Sequence, residues 1–149
     1  QVQDMEEVAP VKTSRREKRE RPREIPAEEK TEKVDAEELA FSRIHFGYDE
    51  AGLTPEARAI LTGHARTLKE YPGIKIIIEG HCDERGTIEY NLALGERRAV
   101  AVKDYLTDLG VDPERLYTVS YGKERPLDPG HTTKAWAENR RAQFKIVTE

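Results

Sequence analysis

Residues of specialised chemistry are scarce in this chain: one cysteine, one tryptophan and one methionine in 149 residues, with aromatics at 7%. A lone cysteine, Cys82, excludes an intrachain disulfide and a thiolate metal cluster. No stretch approaches the run of about 18 apolar residues that a membrane-spanning helix needs. An excess of positive charge is missing too. Lys and Arg number 25 against 29 Asp and Glu, a net charge of −4, so nucleic acid is not an expected partner. No signal peptide is read at Gln1, and a soluble, mature or truncated form is expected.

What the chain has in plenty is charge, at 36% of its residues, and the charge is unevenly framed. Residues 1–40 carry 9 Lys/Arg, 12 Asp/Glu and three prolines but few large apolar side chains. Such a segment buries too little surface to offset its chain entropy. It is expected to be a disordered, charged tether, with a transient helix over residues 27–39. Its cluster Arg15, Arg16, Lys18, Arg19, Arg21 and Arg23 is interleaved with Glu17, Glu20 and Glu24, the pattern of a solvated linker rather than of a lipid-seeking patch. Residues 41–149 are expected to form the one folded domain.

There the periodicity alternates between strand and helix. Residues 41–49 place Ile44, Phe46 and Tyr48 on one side, a strand with one buried face. Thr54-Pro55 is a helix start, and Ala57, Ile60, Leu61, His64, Leu68 and Tyr71 form its apolar stripe up to Pro72-Gly73. His64 on that stripe reads as a hydrogen-bonded core residue. Residues 74–78, Ile-Lys-Ile-Ile-Ile, read as a strand covered on both faces. A long helix follows, with Leu92, Ala99, Val102, Leu106 and Leu109 in line, ending near Gly110. Residues 115–122 are a third strand, 123–131 an irregular loop, 133–141 a short helix and 142–147 a last strand. The fold class is α/β, in the form of an α+β sandwich, with element order β-α-β-α-β-α-β. Periodicity leaves the strand order open.

The stretch from Glu79 to Arg98 organises the rest. It leaves the second strand, makes a turn bracketed by Gly80 and Gly86 that gathers His81, Asp83, Glu84 and Arg85, and enters the long helix. Ligands of open α/β sheets tend to lie at such strand ends. At about 3.6 residues per turn, Asn91 and Arg98 share a helix face, so Asp83 and Arg98 can frame one pocket. An acid and a guanidinium in that arrangement suit a zwitterion, Asp83 taking the ammonium and Arg98 the carboxylate. The alternative is a structural Asp83–Arg98 salt bridge. Catalysis is not expected. His81 and Cys82 are strand neighbours that point to opposite faces, badly aimed for a nucleophile–base pair. His81 and Asp83 have a spacing open to metal ligands on a strand, but no further histidine or second cysteine lies nearby at a usual spacing, and no cofactor is read.

The run Gly80-His81-Cys82-Asp83-Glu84-Arg85-Gly86-Thr87, then Glu89-Tyr90-Asn91 and Leu94-Gly95-Glu96-Arg97-Arg98-Ala99, resembles the signature of OmpA-like peptidoglycan-binding domains. Phe46-Gly47-Tyr48-Asp49 upstream, and Ser120-Tyr121-Gly122-Lys123-Glu124-Arg125-Pro126 and Asn139-Arg140-Arg141-Ala142 downstream, follow in the family's order. The resemblance implies a mixed four-stranded sheet with helices packed on it. It implies non-covalent binding of a diaminopimelate-type stem peptide of peptidoglycan. Asp83 and Arg98 would be the key pair, Asn91, Leu92 and Leu94 the helix side, and Phe46, Gly47, Tyr48 and Asp49 a turn supplying backbone contacts and an aromatic wall. Backbone N–H groups near residues 90–92 are expected to be free for a second carboxylate.

The wording is closest to the family's lipid-anchored members. These imply the periplasmic face of the outer membrane as location, an N-terminal lipid absent from this chain, and the Tol proteins, TolB especially, as partners. A charged tether upstream, rather than barrel strands or a transmembrane helix, sets this chain apart from the family's porins and motor stators. A protein–protein adaptor with a degenerate pocket remains the competing function, against which the presence of both Asp83 and Arg98 argues. Cys82 stands where the family usually has a small residue, and is expected to be tolerated, or to oxidise if exposed. Replacing Asp83 or Arg98 is expected to spare the fold.

Overall fold

The computed structural model describes residues 41–147. The tether and transient helix expected at residues 1–40 lie outside the described residues. The elements are β1 (Ile44–His45), α1 (Pro55–Glu70), β2 (Lys75–His81), α2 (Ile88–Asp108), a 3-10 turn (Pro113–Arg115), β3 (Leu116–Gly122), α3 (Thr133–Asn139) and β4 (Arg141–Val147). This is the alternation read from the sequence. The strands make one four-stranded sheet in the order β1-β4-β2-β3. The helical crossover α2 makes β2 and β3 parallel, while β4 runs antiparallel between β1 and β2.

Each helix begins on a threonine. The hydroxyls of Thr54, Thr87 and Thr132 accept from the N–H groups of Ala57, Tyr90 and Ala135, three donors that the helices themselves leave unpaired. Helix α2 ends at Gly110, whose φ of 104° an L side chain rarely adopts.

Helices α1 and α2 cover the same face of the sheet. Ile44, Leu61, Leu68, Ile76, Ile78, Val102, Leu106 and Leu116 pack between them as one core. The opposite face is less covered, so Ile77 is only half-buried while Ile76 and Ile78 are buried. This corrects the expectation of a strand covered on both faces. His64 is the hydrogen-bonded core residue expected: its Nε2 lies 3.0 Å from the Ser42 carbonyl oxygen, and its ring meets Phe41 and Phe144 edge-on.

Two further expectations change. Strand β1 is two residues long, because the chain turns away after Phe46: Glu50 N–H donates to Gly47 O at 3.2 Å, and Asp49 adopts a φ of 59°. Tyr48 therefore leaves the strand's buried face and is 59% exposed. Tyr71 is also exposed, because it caps α1 rather than continuing its apolar stripe.

Helix α2 approaches the sheet most closely where Gly80 of β2 faces Gly95. A Cβ on Gly80 would lie 1.8 Å from the Gly95 carbonyl oxygen, and one on Gly95 would lie 2.3 Å from Ser120 Oγ. This backbone-to-backbone contact seats the first turns of α2 over the C-terminal ends of β2 and β3.

Candidate ligand-binding site

At the C-terminal end of β2 three segments converge: the turn of residues 46–50, the loop of residues 82–87 and the start of α2. Arg98 fastens them. Its side chain is fully buried, and it donates from Nε to Glu50 O at 2.7 Å, from Nη1 to His81 O at 2.9 Å and from Nη2 to Gly47 O at 3.1 Å. The Phe46 ring lies 5.0 Å from its guanidinium carbon. Among the described residues no carboxylate comes within ion-pair distance of Arg98. Its direct polar partners are carbonyl oxygens, with Asp83 acting on it only through space, and burial lowers its pKa. Of the five N–H groups on a guanidinium, these bonds use three.

Asp83, 4% exposed, is held by Arg85. The Arg85 backbone N–H and Nε donate to Oδ1 at 3.0 and 3.3 Å, and Nη2 donates to Oδ2 at 2.7 Å. Arg140 stands 3.6 Å away and donates from Nε to Phe46 O, bracing the rim. Burial raises the Asp83 pKa, but the bonds from Arg85 and the charges of Arg85 and Arg140 outweigh it and leave the carboxyl below its ordinary value. The structural Asp83–Arg98 salt bridge entertained from the sequence is therefore not formed. The acid and the guanidinium instead line one small cavity of about 60 Å³.

Of the residues singled out from the sequence, Asp83, Arg98, Asn91, Leu94, Tyr48 and Asp49 line this cavity. Phe46, Gly47 and Leu92 do not. Phe46 is buried beneath Arg98, Gly47 contributes its carbonyl to Arg98, and Leu92, 38% exposed, lies beside Gly122 at the end of β3. Asn91 is a brace, its amide donating to Arg85 O at 2.9 Å and Thr87 O at 3.0 Å. The amides expected to be free near residues 90–92 are occupied: Tyr90 N–H donates to Thr87 Oγ1 and Asn91 N–H to Thr87 O, since Thr87 caps the helix.

Cys82, Arg85, Gly86 and Tyr90 complete the lining. Tyr90 is 44% exposed and donates its hydroxyl to Asp49, tying the turn to α2. Arg85 was visible in the motif but not assigned; its signal was a cation two residues from Asp83 within a turn. Cys82 is 3% exposed and donates to Asn91 O, so the exposed thiol entertained from the sequence is not present; burial pushes its pKa up. A larger cleft, about 350 Å³, opens between β1 and α1, but its charged residues Arg43 and Glu56 are exposed and solvated.

Buried histidines give the domain a pH response. His81, 1% exposed beside Glu79, and His64 both have pKa values lowered, chiefly by desolvation. An unfolded chain takes up these protons near pH ~6.5, so the unfolded state binds more protons and stability falls as pH drops below that value. Urea midpoints measured from pH 7.5 down to 5.5 are expected to decrease, with a smaller slope in His64→Gln.

Sheet order, the strand-end cavity and the buried Asp83 and Arg98 together define an OmpA-like domain, and the chain belongs to the OmpA family, whose model matches residues 45–140. Among its relatives are two proteins named peptidoglycan-associated lipoprotein. That of Pseudomonas aeruginosa is 53% identical over 106 residues, 71% of this chain and 62% of the relative. That of Haemophilus influenzae is 50% identical over 102 residues, 68% of this chain and 67% of the relative. The chain thus spans about two thirds of the length of these relatives or slightly less. The crystal structure of the peptidoglycan-associated lipoprotein from Burkholderia pseudomallei superposes with a TM-score of 0.68 at 44% identity, covering 70% of this chain and 88% of that one. The C-terminal domain of Helicobacter pylori MotB, at 21% identity and the same TM-score of 0.68, shares the fold.

Proposed function

We propose that this chain binds peptidoglycan without covalent chemistry, holding the diaminopimelate side chain of a stem peptide between Asp83 and Arg98. The observation that carries this reading is the wholly buried guanidinium of Arg98, with no carboxylate partner, lining the same cavity as a buried carboxylate. A buried charge without a counter-charge is costly. A ligand carboxylate meeting the two N–H groups left on Arg98 offsets that cost, while the ligand's ammonium is the complement of Asp83. Leu94 and Tyr48 supply apolar contact for the methylene chain.

The relatives' name, peptidoglycan-associated lipoprotein, supports wall binding by a lipid-anchored protein, and the family resemblance suggests the wider setting. The chain acts as the wall-binding part of an outer-membrane lipoprotein on the periplasmic face, tied to the membrane by an N-terminal lipid through residues 1–40. TolB and the other Tol proteins are its expected partners. The function is read as structural rather than enzymatic, because the ligand clamp holds its ligand by charge and hydrogen bonds without breaking a bond.

Co-sedimentation with diaminopimelate-type cell-wall sacculi tests it. The chain is expected to pellet with the sacculi and to be released by soluble diaminopimelate stem peptide but not by the lysine counterpart, which has the ammonium without the second carboxylate. Equal release by both peptides contradicts the role given to Arg98.

A further inference from the structure

Arg85 occupies the seat that the proposed function gives to the ligand. Its Nε and Nη2 sit on the two oxygens of Asp83, and with the Arg85 backbone N–H they leave that carboxylate little room for a further donor. The cavity beside them, about 60 Å³, has room for roughly two water molecules, too few to match an amino-acid head group. Arg85 is one of its walls, and while on Asp83 it also makes two aromatic contacts that do not depend on the acid. Its guanidinium carbon lies 4.0 Å from the Tyr48 ring centre and 4.1 Å from that of Trp136, and its side chain is 32% exposed. The Trp136 ring is itself fixed by Nε1 donating to Glu84 Oε2 at 2.8 Å. A planar cation between two aromatic faces can slide in its own plane and keep both contacts.

We propose that Arg85 is a resident stand-in for the ligand's ammonium, displaced from Asp83 when ligand enters, and that this exchange makes the site select ligands carrying an ammonium and a carboxylate together. Swapping one cation on Asp83 for another yields little net attraction. An amine alone therefore gains almost nothing, and net binding comes from the carboxylate that reaches Arg98. Arg85 is thus a specificity-determining residue, an inference that rests on the binding function proposed above.

The test compares the full chain with Arg85→Gln, both checked by circular dichroism, in calorimetric titrations with soluble diaminopimelate and lysine tetrapeptides. Arg85→Gln is expected to bind the diaminopimelate peptide about tenfold more tightly and to acquire binding of the lysine peptide, which the parent chain rejects. Equal or weaker binding by Arg85→Gln overturns the stand-in role and leaves the binding function intact. No binding by either chain overturns both. Independently of ligand, the Asp83 carboxyl followed by NMR is expected to titrate at higher pH in Arg85→Gln, and an unchanged titration also overturns the proposal.

Discussion

Replacing Arg98 by alanine is expected to lower the free energy of unfolding by about 3–5 kcal/mol, in addition to removing ligand binding. Three carbonyls, of Gly47, Glu50 and His81, lose the guanidinium together, Gly47 O keeping only the Glu50 N–H, and the turn loses its buried tie to the end of β2. The urea midpoint should fall with little change in slope, because the same surface is exposed on unfolding. Arg98→Lys should fall between, since one ammonium cannot span three carbonyls held apart by a planar fork. An alanine variant as stable as the parent would mean that the turn of residues 46–50 is held without the guanidinium. The expectation from sequence that replacing Arg98 spares the fold rested on its lying outside the interior, and its complete burial removes that premise. Under the proposed function, one side chain serves as both ligand contact and structural tie.

Gly80→Ala is expected to be at least as damaging, with a loss above about 4 kcal/mol or failure to fold. The added methyl would stand 1.8 Å from the Gly95 carbonyl oxygen, a backbone atom in mid-helix that cannot rotate aside. Relief requires α2 to lift off β2, which would also carry Asn91, Leu94 and Arg98 away from the cavity. Gly63→Ala provides the contrast. Nothing lies within 4 Å of a Cβ there and the position is inside α1, so the variant should gain about 0.5–1 kcal/mol from helix propensity. Denaturant titration of the three chains side by side reads both signs. Near-parental stability of Gly80→Ala would show that the helix does not rest on the strand at this point.

Much of this architecture was legible in the residues. The Thr54-Pro55 start and the stop at Gly110 are local signals, and local chemistry decides them. Asp83 and Arg98 lining one cavity followed from a strand end meeting a helix face. Longer-range information was needed for the rest. The insertion of β4 between β1 and β2 pairs residues nearly 100 positions apart and leaves no trace in periodicity. The early end of β1 depends on Arg140 and Arg98 gathering the carbonyls of residues 46–50 from distant elements. The partner of Asp83 was also hidden. Charge and spacing favoured Arg98, yet Arg98 is consumed by carbonyls while Arg85, two residues away, curls back onto the acid.

The clamp itself is tested most directly by calorimetric titration of a soluble diaminopimelate tetrapeptide into the full chain and into Asp83→Asn. Asparagine keeps the shape of the side chain and removes its charge, so circular dichroism should stay that of the parent. Saturable binding by the parent, weakened in Asp83→Asn, where the ligand's ammonium meets Arg85 with no carboxylate to take either cation, is the expected result. Equal affinity in both chains, or no binding by a well-folded parent, would contradict the assignment of Asp83 and Arg98 as the two poles of a zwitterion site.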